Sequence, residues 1–278
     1  MEGNGESILI DELKRVVAWK AAEARYPAEP PFHPDCPYPE CAFPHGSEPN
    51  PVYAAVRECL RAAGLDSERY GSPGWNPFGA LINPGETVLL KPNLVKETHP
   101  RDPEGWRYVL THGSVIRAVA DYVWKALEGR GKIIVADAPH TDSSFDAIVT
   151  LLGLDKLADF YRAQGLGLEL IDLRQEEWTT RDSVIVRRSK RPGDPRGYVE
   201  FDLGEASEFA GHTGAGRYIG ADYDLGELNS HHSGGRCVIA CNPRWRSRSW
   251  PRAGNRIARD REGRRSRRIP LWKSRADP

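Results

Sequence analysis

The sequence has no long apolar run. None of its stretches reaches the ~18 uninterrupted apolar residues that a membrane-spanning helix needs, so no transmembrane segment is expected. The N-terminus, MEGNGESILIDELKRV, lacks the basic start and apolar centre of a secretory signal, which makes the cytoplasm the default compartment. Cysteine is scarce and odd in number, five in 278 residues, which argues against a secreted disulfide scaffold. Neither Cys36/Cys41 nor Cys237/Cys241 supplies the cysteine run of a ferredoxin-type cluster. There is no internal repeat. Gly214, Gly216 and Gly220 imitate a dinucleotide-binding loop, but the spacing is wrong and no strand-loop-helix context surrounds them, so a loop is the better reading. Net charge is also lacking, at 39 basic against 39 acidic residues. That balance hides an asymmetry. Asn242–Pro278 holds 13 Lys/Arg against three Asp/Glu, which leaves 26 against 36 for Met1–Cys241. An acidic body carries an arginine-rich tail.

What is present is organised around residues 86–142. Val88–Leu90 is a short apolar run closed by Lys91-Pro92-Asn93, and Pro92 cannot continue a central ladder. Val115, Ile116, Val119, Ala120, Val123, Ala126 and Leu127 then recur at helical spacing, with Arg117, Asp121 and Lys125 four apart on the opposite face. Thr111 or Ser114 is the expected cap, and Gly129 and Gly131 end the helix. Ile133-Ile134-Val135 is a second apolar run, closed by Asp137. Strand, crossover helix and strand form a βαβ unit with parallel strands. In open parallel sheets, ligands sit beyond the carboxyl ends of the strands, where Lys91, Asn93, Asp137, His140 and Asp142 all fall.

Around this unit the chain reads in order. A helix is expected over residues 8–24, then a proline-dense loop to Pro49, then a helix capped by Asn50 with Pro51 at its first position. The buried stripe of that helix is expected to be Val52, Val56, Cys59, Leu60 and Ala63, with Cys59 a core thiol. Residues 70–83 read as a loop. A helical pattern from Phe145 breaks at Gly153 and resumes to Arg162, and Leu168–Leu173 is a third strand. Val184–Val186 and Tyr198–Leu203 are expected to form a hairpin about the GDPRG turn, an antiparallel extension of the sheet. The fold class is therefore α/β, with a mostly parallel central sheet, flanking helices and a disordered basic tail. Residues 1–241 form the α/β domain and 242–278 the tail.

Several of these segments carry a resemblance. KPNLV, THGSVIRAV, IIVADAP and the later GADYD and NSHH segments, with SEPNPVYAAVRECLRAAGLD and WNPFGALINPGETV before them, resemble the family called domain of unknown function 362 over about residues 32–236. The family brings no reaction to carry over. Some members bear ferredoxin-like cysteine clusters, which this chain lacks. The resemblance implies that a histidine, an aromatic-apolar strand and a lysine-rich segment should follow Arg236. An arginine-rich, tryptophan-dotted stretch stands there instead. A nucleic-acid-binding arm is one explanation, since arginine suits phosphates and tryptophan stacks on bases. A shifted reading frame near Cys237 is preferred, because the resemblance stops inside a motif; the chain is then an incomplete domain, prone to self-association.

The chemistry is assigned as follows. Lys91 and Asn93 offer a cation and an amide at a strand end and, with the helix-start amides near Thr111–Ser114, suit a phosphate or carboxylate. His112 and His140 are further substrate-binding candidates. Asp137, directly after the buried run, is the candidate general base or metal ligand. Asp142, His231 and His232 are the other metal candidates, and a divalent cation becomes possible if Asp137, His112 and one of His231 and His232 converge. His33, Cys36, Cys41 and His45 match zinc's ligand types, but the prolines between His33 and Cys41 make wrapping one ion awkward. The expected function is binding or transforming an anionic small molecule at the strand ends. The rival is a non-catalytic metal- or metabolite-binding protein, and nucleic-acid binding through the tail comes third.

Overall fold

The computed structural model describes residues 16–202 apart from 22, 24, 100, 182, 183 and 198, together with the strand backbones Arg236–Ile239 and Trp272–Ser274. The chain divides into two compact units, Met1–Arg191 and Pro192–Pro278. In the first unit, β1 (Thr87–Leu90), β2 (Lys132–Asp137) and β3 (Leu168–Asp172) form a parallel sheet with β2 between the others. Val88 pairs with Ile133 and Leu90 with Val135, while Asp137 pairs with Asp172. The two acidic residues therefore end neighbouring strands at the same height. The expected α/β class and parallel order are what the structure shows.

Helix α1 (Pro51–Ala62) starts where Asn50 accepts the Tyr53 N–H, with Pro51 at its first position. Its buried residues are Tyr53 and Arg57, rather than the expected stripe. Cys59 is only half-buried. The apolar residues set the period, but an aromatic slot takes Arg57: its guanidinium lies 4.8, 4.3 and 5.3 Å from the ring centres of Tyr38, Tyr70 and Trp75 and pairs with buried Glu40 at 2.6 Å. Trp75, in the segment read as a loop, is fully buried and donates to the Leu65 carbonyl at 3.0 Å.

Helix α2 (Gly113–Leu127) is buried almost all round. Its charged face is covered by the proline-rich loop, α1 and α4. Arg117 and Asp121, expected to lie opposite the apolar stripe, are 0% and 4% exposed. Asp121 accepts from Arg117 Nε at 2.9 Å, from Tyr53 at 3.0 Å and from Tyr161 at 2.6 Å. Burial pushes its carboxyl up, against the pull of Arg117 and the two hydroxyls. Gly113 allows close approach at the helix start, since a Cβ there would lie 2.1 Å from the Leu152 carbonyl oxygen. Helices α3 (Phe145–Leu151) and α4 (Leu154–Ala163) part at Gly153, whose φ of 64° is left-handed, as the sequence break implied.

The hairpin differs from expectation. β4 (Glu176–Arg181) pairs antiparallel with β5 (Val184–Lys190), as a two-stranded sheet of its own. Glu176 faces Lys190 and Trp178 faces Arg188, so opposite charges and an aromatic-guanidinium contact at 4.8 Å set the register. That complementarity lies before Val184 in the chain, which is why the glycine-rich turn after it does not make the hairpin. In the second unit, β6 (Val199–Asp202) pairs antiparallel with β7 (Arg236–Ile239), and Trp272–Ser274 is the last strand, β8. The rest of the tail, expected to be disordered, lies outside the described residues. So do residues 8–15 of the expected first helix; its residues 16–21 carry no helix.

Candidate functional site: the laced strand ends

The loops that leave β1, β2 and β3 run side by side. Pro92 stops β1, and the chain continues through Leu94, which is fully buried and forms an isolated bridge with Leu110. From this loop Lys91 reaches across to Asp137 at the end of β2, with Nζ 2.6 Å from Oδ1. The other carboxylate oxygen of Asp137 accepts the Leu94 N–H at 2.7 Å. Farther along, the His140 N–H donates to the Val95 carbonyl at 2.9 Å, Lys96 pairs with Asp142, and Glu97 accepts from the Ser143 hydroxyl and, at 3.1 Å, from the Ser144 N–H. The hydrogen bond from Lys96 holds the Asp142 carboxyl below its usual range.

The third loop closes the group. The Leu173 N–H donates to the Asp137 carbonyl at 2.9 Å, and the Trp178 N–H to that of Thr141 at 2.6 Å. Arg174, 5% exposed, is the clasp. Its guanidinium donates to the His140 and Ser143 carbonyls at 2.7 Å each, to Asp172 at 2.9 and 2.7 Å, and to Glu177 at 3.1 Å. Glu177 also pairs with Arg191. A bidentate guanidinium suits this position because its planar fork meets a carboxylate and still has donors left for carbonyls. Sequence reasoning passed over Arg174. The signal was available: it follows the third apolar run as Lys91 and Asp137 follow the first two.

The expected residues thus sort into three places. Lys91 and Asp137 meet; Asn93 and His140 stand exposed on the adjoining loops, the His140 side chain at 65%. Asn93 is anchored through its backbone, its N–H donating to the Thr111 hydroxyl at 3.0 Å and its carbonyl accepting the Thr111 N–H at 2.8 Å. His112 sits elsewhere. It is the N-cap of α2 in place of the expected Thr111 or Ser114, accepting the Ser114 N–H at 3.2 Å, and is enclosed by Tyr26, Phe32 and Trp106. Burial, with help from Arg107, lowers its pKa to about 4. The ring is therefore neutral and occupied with the helix start, since an imidazole nitrogen can accept only when unprotonated.

Among the described residues no three His, Cys, Asp or Glu side chains gather as a metal-ligand group. Asp137 and Asp142 are each engaged by a lysine. His231 and His232 lie outside the described residues. Of the His33, Cys36, Cys41 and His45 set, Cys36 is exposed, Cys41 contacts the Tyr53 hydroxyl at 3.3 Å, and the His33 ring packs edge-on to Phe160.

The family model described as Domain of unknown function (DUF362) matches residues 88–191, rather more than a third of the chain. The match begins inside β1 and ends just after β5, so it contains all three laced loops. No curated protein and no solved structure matches. No helix among the described residues is long and apolar enough to cross a membrane.

Proposed function

We propose that the first unit binds an anionic small molecule, bearing a phosphate or carboxylate, at the carboxyl ends of its parallel strands. The observation that carries this reading is the division of charge between Lys91 and Asp137. The carboxylate is buried with both oxygens accepting, while the ammonium is held against it with its side chain 49% exposed. A lysine fixed in this way is a point charge with donors left for a ligand. Asn93 and His140 add an amide and an imidazole on the same loops, whereas Asp137, Asp142, Asp172 and Glu177 are engaged by Lys91, Lys96, Arg174 and Arg191. Asp137 in this reading orients Lys91 and takes no proton, which favours binding over general-base catalysis.

The test is thermal unfolding of the full chain against rising inorganic phosphate. A single site at a hundred times its dissociation constant adds about 2.7 kcal/mol of stability. Lys91→Met should remove most of this protection. Lys132→Met, at the opposite end of β2 and paired with Glu169, should keep it. Equal protection of wild type and Lys91→Met would refute the role of Lys91.

A further inference from the structure

The hairpin has one closed edge and one open edge. On β4 the Trp178 N–H turns away from β5 and donates to the Thr141 carbonyl at 2.6 Å, so the body of the unit takes that edge. On β5 the Arg191 N–H turns inward, to the Gln175 carbonyl at 2.8 Å. Peptide groups alternate in direction along an antiparallel strand, so those of Arg188 and Lys190 point outward. Among the described residues β5 has no second neighbour. An open edge of this kind is a template for another strand.

The side chains along this edge are of two kinds. Val184, Ile185 and Val186 are three adjacent aliphatics, 62%, 38% and 55% exposed. Arg187, Arg188 and Lys190 follow them, all exposed. Most arginines of the unit have an acid beside them, as Arg61 has Glu58, Arg162 has Asp159 and Arg191 has Glu177. Arg187 and Arg188 have no acidic partner among the described residues; Arg188 rests on the Trp178 ring instead. A second copy of β5 fits this edge poorly. Laid antiparallel in full overlap, each Arg187 would face its own copy, and like charges directly opposite destabilise a pair. A bilayer fits no better, because its apolar layer cannot satisfy the outward peptide groups.

We infer that β5 receives an added strand from a partner: an extended acidic peptide, with acids opposite Arg187, Arg188 and Lys190 and β-branched apolar residues opposite Val184, Ile185 and Val186. An added strand sets side chains on both faces of a sheet. Both faces are exposed here, from Thr179 to Arg181 on β4 and from Val184 to Arg188 on β5 apart from residues 182 and 183 between them. The edge is separate from the strand-end site, and the inference does not depend on that site taking an anion.

The probe is the end-blocked peptide ETEEVIV, which laid antiparallel puts its acids against Lys190, Arg188 and Arg187 and its aliphatics against Val186, Ile185 and Val184. KTKKVIV keeps the aliphatics and reverses the charge. Each is titrated into the full chain by calorimetry, in phosphate-free buffer of low salt, since exposed charges are readily screened. ETEEVIV should bind saturably, about tenfold tighter than KTKKVIV or better, as exposed cross-strand charge pairs turned to repulsions imply. Saturating ETEEVIV should slow hydrogen exchange at the Arg188 and Lys190 amides and leave Ser189, already paired with Glu177, unchanged. Arg187→Glu with Arg188→Glu, two exposed positions, should reverse the order of the two peptides; the comparison of peptides on the wild type decides the matter if that variant does not fold. Equal binding of the two peptides, no saturable binding of either, or binding that leaves Arg188 and Lys190 exchanging as before would each overturn the inference. So would retention by phosphatidylserine vesicles or a DNA duplex, lost in the double variant, where ETEEVIV does not bind: the edge would then belong to a lipid or nucleic-acid surface.

Discussion

Lys91 and Asp137 end adjacent parallel strands and are joined by an ion pair of 2.6 Å, in which the acid is buried and the base is half-exposed. The pair is asymmetric, and so are the expected effects of breaking it. Lys91→Met leaves a buried carboxylate with one N–H donor, whereas Asp137→Asn leaves a lysine that can turn to water. The first should cost about 1–2 kcal/mol, less than the roughly 3–5 kcal/mol for breaking a fully buried pair, because solvent screens Lys91. The second should cost less than about 1 kcal/mol, because the asparagine oxygen can still accept from Leu94. Urea denaturation of both variants without phosphate measures the difference, and a larger loss for Asp137→Asn would contradict the asymmetry.

Arg174 should be the least replaceable residue of the strand ends. Its guanidinium satisfies two carboxylates and two carbonyls from within the protein. Arg174→Met strands those acceptors and should cost roughly 3–5 kcal/mol. Arg174→Lys should recover less than half, because an ammonium cannot reproduce the fork. Full recovery by lysine, measured by chemical denaturation, would reduce the clasp to a charge.

The Arg117–Asp121 pair on α2 makes a different case. Arg117→Met should destabilise by about 3–5 kcal/mol, since Asp121 is then an unpaired buried charge. Adding Asp121→Leu should restore part of this, but not all, because the Tyr53 and Tyr161 hydroxyls lose their common acceptor. A double variant as stable as the wild type would show that the tyrosines find other partners.

His112 predicts a pH dependence. Its folded pKa, about 4, lies below the ordinary 6.5, so between these values the unfolded chain binds the extra proton. The contribution is then fully present above about pH 6.5 and is lost as pH falls toward 4. Over that window it amounts to at most about 3 kcal/mol. His112→Asn keeps an acceptor at the helix cap and should flatten this part of the stability profile. The comparison is the difference between the two proteins from pH 7 to pH 4; parallel profiles would remove His112 as its source.

The βαβ unit was readable because both of its periods are strong: the runs at Val88 and Ile133 are short and apolar, and the helix between them repeats at i, i+3 and i+4. The strand ends followed from topology, which is why Lys91 and Asp137 could be named together. Arg117 and Asp121 were misplaced because a charged i, i+4 pair has the same spacing on a wet face as on a buried one. What buries it comes from afar: the proline-rich loop, α1 and α4. Arg57 was overlooked for a related reason, since its slot is made by three rings on two other segments. The hairpin turned on which neighbour offers β5 complementary charges, a comparison between strands that no single window contains. For His112, the ring competes with Ser and Thr for the cap because its aromatic surroundings keep it neutral.

The clasp at the strand ends also has a consequence for biosynthesis. Lys91 and Asp137 leave the ribosome well before Arg174, so a nascent chain arrested after β2 already holds both members of the ion pair. It lacks the guanidinium that ties the β2 loop to β3 and the acidic hairpin residue Glu177 that orients it. The local contacts of α2 can form early, but the laced loops wait for a residue that arrives one helix pair later. Under the proposed anion binding, the strand ends should become competent only once Arg174 and Glu177 belong to the free chain, and chains of stepped length, released from the ribosome into phosphate, would show that onset as a jump in protease resistance.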